Sequence, residues 1–168
     1  MKKLVILFAS LFLVVVATEN VSAQVGNTDE VEATASATII APLTIEKDRD
    51  LAFGTLVRPQ LGSGTATIIA DAANSRELTN NLTALTGDFH SAQFTVTGDD
   101  SKPFGIDFPE SIELSPELTI TTTISGDATN VVTEDEVYVF YIGGSMEIDD
   151  DVDAGVYTTT FDVTVTYE

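Results

Sequence analysis

The chain contains no cysteine and no tryptophan, a single histidine, and only seven lysines and arginines against 27 aspartates and glutamates. Without cysteine there is neither a disulfide nor a thiolate metal site, so stability must come from packing and sheet hydrogen bonds. His90, between Phe89 and Ser91, offers alone no nucleophile–base pair and no zinc ligand set, and reads as a surface residue. No glycine-rich loop follows a strand and opens a helix, as a phosphate cradle requires. Carboxylates are so common here that no pair of them stands out as a glycosidase couple. These shortages argue against an enzyme and imply no cofactor. A net charge of −20 repels nucleic acid and anionic headgroups, which excludes a nucleic-acid partner.

Long hydrophobic runs are equally scarce. The one at the start has the form of a secretory signal: Lys2 and Lys3, then the apolar stretch Leu4 to Ala17, then the small-residue cleavage pattern Val21-Ser22-Ala23. It is broken by Thr18-Glu19-Asn20 and falls short of the ~20 apolar residues of a membrane anchor. Residues 1–23 are therefore expected to be a cleaved signal, with the mature chain starting at Gln24. Cleavage removes Lys2, Lys3 and Glu19 and leaves the remainder one charge more negative. No second hydrophobic span follows, so no stable membrane insertion is expected, and the chain is long enough for one domain with a real core.

What the sequence has in quantity is alternation. At its end, Tyr157, Thr159, Phe161, Val163, Val165 and Tyr167 share one face of an extended chain, and Thr158, Thr160, Asp162, Thr164 and Thr166 the other. This predicts a half-buried strand from Gly155 onward, with a partner strand early in the chain. After a flexible stretch, 24–30, the early segment supplies a matching pattern. Val31, Ala33, Ala35, Ala37 and Ile39 alternate with polar residues up to Ile40, and Pro42 kinks the chain before a second piece, Leu43 to Glu46.

Between these ends, short strands separated by turns are expected at 51–57, 64–69, 78–85, 92–98, 104–109 and 118–124. Val137–Ile142 and Ser145–Ile148 flank Gly143-Gly144, a pair that signals a tight hairpin. Val137–Ile142 is apolar on both faces. It reads as a central strand, with Tyr138 and Phe140 as the residues that would meet another subunit if its outer face were exposed. No amphipathic helix of useful length occurs. The predicted fold is an all-β, immunoglobulin-like antiparallel β-sandwich over residues 31–168.

The densest acidic cluster is Asp149-Asp150-Asp151-Val152-Asp153. Asp149, Asp151 and Asp153 are the candidate ligands for Ca²⁺, which takes several oxygens. The spacing fails the helix–loop–helix pattern, with Ala154 at the sixth position and Thr160 at the twelfth. A solvated loop is the simpler reading.

Several phrases occur together in order: Ala41-Pro42-Leu43-Thr44-Ile45, Asp50-Leu51-Ala52-Phe53-Gly54, Ala92 to Gly98, Tyr141-Ile142-Gly143-Gly144, and Gly155 to Tyr167. Together they resemble the exported bacterial family of domain of unknown function 4402 (DUF4402), which carries no established activity. Phe53-Gly54 and the ending Gly155, Tyr157, Phe161, Val163, Val165, Tyr167 are also similar to archaic chaperone–usher pilins and spore-coat-U-type subunits. That likeness implies an incomplete sandwich that lends an N-terminal strand to its neighbour, and it implies a periplasmic chaperone and an usher as further partners. Val31, Ala33, Ala35, Ala37 and Ile39 would be the lent strand, and Tyr157, Phe161, Val163, Val165 and Tyr167 either an interface or core.

The expected function is thus that of a non-enzymatic structural subunit of a surface fibre or coat. It would be exported through the inner membrane to the periplasm and then the cell surface, as part of a homo- or hetero-polymer. The alternative is a self-contained secreted binding or adhesion module. A small outer-membrane barrel is a lesser third reading, weakened by the absent tryptophan and by Thr and Asp on the outward faces.

Overall fold

A computed structural model describes residues 26, 28–100, 102–126, 129–131 and 137–168. The expected signal, residues 1–23, lies outside them, as do residues 132–136 within the chain. The chain divides into two units, Met1–Ala37 and Thr38–Glu168. In the first unit the described residues form no strand and are exposed. The second is an antiparallel β-sandwich with no helix among the described residues.

Twelve strands are defined: β1 (Thr44–Arg49), β2 (Leu56–Val57), β3 (Ser63–Ile68), β4 (Arg76–Leu78), β5 (Thr83–Ala84), β6 (Ala92–Thr97), β7 (Pro103–Asp107), β8 (Ser111–Ser115), β9 (Leu118–Ile124), β10 (Thr129–Val131), β11 (Val137–Asp149) and β12 (Thr164–Tyr167). One sheet runs β1-β6-β11-β3-β4, with β9 and then β8 joined through β11. Facing it are a three-stranded sheet, β10-β7-β12, and the small pair β2-β5.

The organising element is β11, thirteen residues long. Ile142 pairs with both Ala92 and Ile124, so β6 and β9 lie on opposite edges of it. Gly144 to Met146 pair with both β3 and β9, so β3 follows β6 along the same edge. Gly143-Gly144 is therefore not the expected hairpin but the point where one strand passes from β6 to β3. The physical reason is crowding. A methyl group on Gly143 would collide with the Ile68 carbonyl oxygen and come within 2.7 Å of the Ala70 nitrogen. On Gly144 it would sit 2.8 Å from the Thr121 carbonyl oxygen. Neighbouring backbones approach from both edges at a spacing that only glycine permits.

Side chains at 138, 140, 142, 146 and 148 point inward along the whole of β11. Phe140 is fully buried and stacks on Phe94 with centroids 5.2 Å apart, and Tyr138 meets Phe104 edge-on at 5.5 Å. Tyr138 and Phe140 are thus core residues, not the outer face. Val137, Val139 and Tyr141 form that face, opposite Thr97, Thr95 and Gln93.

The core has two lobes. Ala92, Phe94, Val96, Phe104, Ile106, Phe140 and Ile142 fill one, joined by Val163, Val165 and Tyr167. Ala66, Leu82, Ile112, Leu118, Ile120, Met146, Ile148 and Val152 form the other. Leu51 and Phe161 pack against both.

Two strand expectations are corrected. Val31–Ile40 forms no ladder in the described chain. At the C-terminus only Thr164–Tyr167 is paired, and its partner is β7 rather than the early segment. In residues 156–163 Tyr157, Phe161 and Val163 are half-buried as predicted, but Thr159 is exposed and no ladder takes the stretch up.

Candidate binding groove

The two lobes are covered unequally. Over the first, β7 and β12 close the sandwich. Over the second, the facing layer consists of two separated chain segments, Leu51–Arg58 and Asp153–Phe161, which line a cavity of about 750 Å³. Its floor is the apolar inner face of β8, β9 and β11: Ile112, Leu118, Ile120, Met146 and Ile148.

The first wall is paired along one side only. Ala52 exchanges both backbone hydrogen bonds with His90, at 2.9 Å each, Leu56 and Val57 pair with Ala84 and Thr83, and Leu85 N–H donates to Thr55. Arg76 braces it from behind, donating to the Phe53 carbonyl at 2.8 Å while its guanidinium lies 4.1 Å from the centre of the Phe89 ring. Gly54 adopts φ +75°, and a side chain there would meet Arg76 Nη1 at 2.8 Å. The Phe53-Gly54 pair thus serves to hold this wall.

The second wall is barer. Among the described residues, no backbone hydrogen bond joins Val156–Val163 to a neighbouring strand. A second, smaller cavity of about 330 Å³ separates Thr159–Asp162 from Ser111–Glu113 of β8. The segment therefore has free donors and acceptors on both sides. Arg58 donates through Nη1 to the Val152 carbonyl and ties the two walls at one end, and Tyr157 Oη donates to the Asp153 carbonyl at 2.7 Å.

The predicted site residues divide three ways. Tyr157 and Phe161 stand on the groove wall, whereas Val163, Val165 and Tyr167 pack into the closed lobe. Val31, Ala33, Ala35, Ala37 and Ile39 are all exposed, Val31 and Ile39 at 89% and 92%. Asp149, Asp151 and Asp153 are exposed and are not gathered: no group of three or more His, Asp or Glu that could hold a metal occurs among the described residues. Asp150 is used locally, its Oδ2 accepting from Gly62 N–H at 2.8 Å. His90 is half-buried, its Nδ1 2.7 Å from the Asp50 carbonyl oxygen. Of the floor, Leu118, Ile120, Met146 and Ile148 fall in strands the sequence predicted, and only β8 with Ile112 was missed. The alternation Ser111-Ile112-Glu113-Leu114-Ser115 would have located β8, and with it one side of the groove.

A β-sandwich with one layer open over an apolar floor is the class this geometry defines. The chain belongs to the family described as domain of unknown function (DUF4402), whose family model matches residues 43–167. The match leaves out the alternating segment 31–39. No curated protein and no solved structure matches the chain.

Proposed function

We propose that this protein is a non-enzymatic subunit of a surface fibre or coat, completed by a strand from a neighbouring subunit. It would reach the periplasm by the signal at residues 1–23 and be handled there by a chaperone and an usher before display. The observation that carries the reading is the unpaired backbone of Val156–Val163 beside an open apolar groove. Volume alone is indecisive, since small-molecule pockets cover ~300–1,000 Å³. A small ligand, however, leaves a row of main-chain donors and acceptors unanswered, whereas an added strand satisfies them while its alternate side chains fill the floor.

Val31, Ala33, Ala35, Ala37 and Ile39 have the alternation such a strand needs. Burying them would contribute roughly 5–8 kcal/mol. Association costs ~4–15 kcal/mol in lost freedom, so main-chain bonds along the strand must supply the rest.

The test is a denaturing gel of material sheared from the surface of the native host, with and without boiling, probed for this chain. A ladder that collapses on boiling is the expected result. A single band in both lanes overturns the reading and favours a self-contained binding module, with the groove as its ligand site.

A further inference from the structure

We infer that Met146 is an oxidation site: a hydroperoxide converts its thioether to the sulfoxide, and the sulfoxide closes the groove to an incoming strand. This rests on the strand-addition reading above and adds a means of regulating that same groove.

The chain has no cysteine and no tryptophan, and its other methionine, Met1, lies in the segment expected to be cleaved. Met146 therefore carries the one sulfur of residues 24–168, and thioethers are common targets of peroxide. Its place is fixed by the sheet. Backbone pairing aligns Ile112, Ile120, Met146 and Ala66 in one row across β8, β9, β11 and β3. Ala66 is a small neighbour for a long, unbranched side chain with three rotatable bonds. Met146 is 6% exposed, and an oxidant as small as hydrogen peroxide reaches it through the cavity that it lines.

The step balances with a single molecule of peroxide. A lone pair on Met146 Sδ attacks one peroxide oxygen; an S–O bond forms and the O–O bond breaks. The departing hydroxide takes the proton of the transferred oxygen and leaves as water. Sulfur loses two electrons and the peroxide gains them.

The product suits an open groove and not a filled one. A thioether is a soft apolar filler, whereas a sulfoxide is polar and accepts hydrogen bonds. Around it on the floor stand Ile112, Leu118, Ile120 and Ile148, whose side chains have no donor to offer. In the open groove, water answers the new oxygen. Under an added strand, the backbone donors are engaged by the walls and apolar side chains face the floor, so that oxygen is buried unsatisfied. Oxidation thus opposes filling of the groove more than it opposes the unfilled domain. Conversely, a seated strand covers the sulfur and shields it.

The test uses subunits purified from the native host. Hydrogen peroxide is applied and then removed with catalase, and the chain is mapped by peptide mass. A gain of about 16 Da at Met146 is expected. The oxidised chain should need a roughly tenfold or higher concentration to scatter light and to give the unboiled ladder. Methionine sulfoxide reductases of both epimer specificities should restore assembly. Met146→Leu, which keeps volume and apolar character, should assemble before and after peroxide. Polymers should gain the mass more slowly than free subunits.

Unchanged assembly by a chain whose Met146 is oxidised overturns the inference and leaves the subunit reading standing. So does a Met146→Leu chain that peroxide still disables, because the damage then lies elsewhere. Met146 left intact by peroxide that oxidises free methionine overturns it too. Equal rates in polymers and free subunits do the same, since no strand then covers the sulfur. An untreated chain that forms no ladder defeats both readings.

Discussion

The hydroxyl of Tyr167 donates to the carbonyl of Ala41, joining residues 126 positions apart at 3.1 Å. The same oxygen accepts from the Asp99 N–H at 2.6 Å. Tyr167→Phe keeps the ring in the closed lobe and removes only the bridge. Both orphaned groups lie at the surface or half-buried, where water can partly replace the hydroxyl. The expected loss is about 1 kcal/mol, read as a lower urea midpoint with an unchanged slope. A loss above about 3 kcal/mol would mean that the hydroxyl supports the fold itself and not merely the exit of the N-terminal segment.

Gly143 is the crossing point of three strands. Its missing side chain makes room for the Ile68–Ala70 backbone, which cannot swing aside as a side-chain tip could. Gly143→Ala should therefore fall at the severe end of overpacking, ~3 kcal/mol or more. Gly155→Ala serves as the comparison, because there the nearest atom to an added methyl is a Tyr157 ring carbon at 3.7 Å. Thermal melts should separate the two variants clearly, and equal melting temperatures would contradict the crowding described for Gly143.

Phe140 and Val139 are neighbours on opposite faces of β11. Phe140 is fully buried and stacked on Phe94; Val139 is 41% exposed. Phe140→Ala should cost ~3–5 kcal/mol through lost burial and a cavity. Val139→Thr should stay within about 0.5 kcal/mol, as surface changes usually do. The reverse order of midpoints in chemical denaturation would exchange the two faces of the strand.

The same strand shows what was legible in the sequence and what was not. All-β architecture followed from period-two alternation, and β3, β6, β7 and β9 fall within a residue or two of their expected positions. Gly143-Gly144 misled because a glycine pair between strands usually turns the chain. Yet a two-residue hairpin would have set Ile142 beside Ser145 and Phe140 beside Glu147, turning Met146 and Ile148 outward. A single strand keeps Tyr138, Phe140, Ile142, Met146 and Ile148 on one side, so apolar parity carried across the glycines was the stronger signal. For the groove, the alternation of residues 156–163 was readable but the absence of a ladder was not. Pairing depends on which strand arrives alongside, and nothing local to Tyr157 or Phe161 encodes it.

Charge sets the kinetics of any association between copies. At −20 per chain, two subunits repel each other at long range, while the groove floor that would receive the strand is apolar. Screening should therefore speed encounter and leave the seated strand nearly unaffected. The Debye length falls from ~30 Å at 0.01 M to ~8 Å at 0.15 M salt. Stopped-flow light scattering on purified subunits over that range should show assembly accelerating about tenfold in NaCl. CaCl₂ at matched ionic strength should act no more strongly, because the described residues offer no carboxylate cluster suited to the ion. Assembly that slows with salt would imply attractive charge pairing at the contact. A response specific to Ca²⁺ would return Asp149, Asp151 and Asp153 to consideration as ligands.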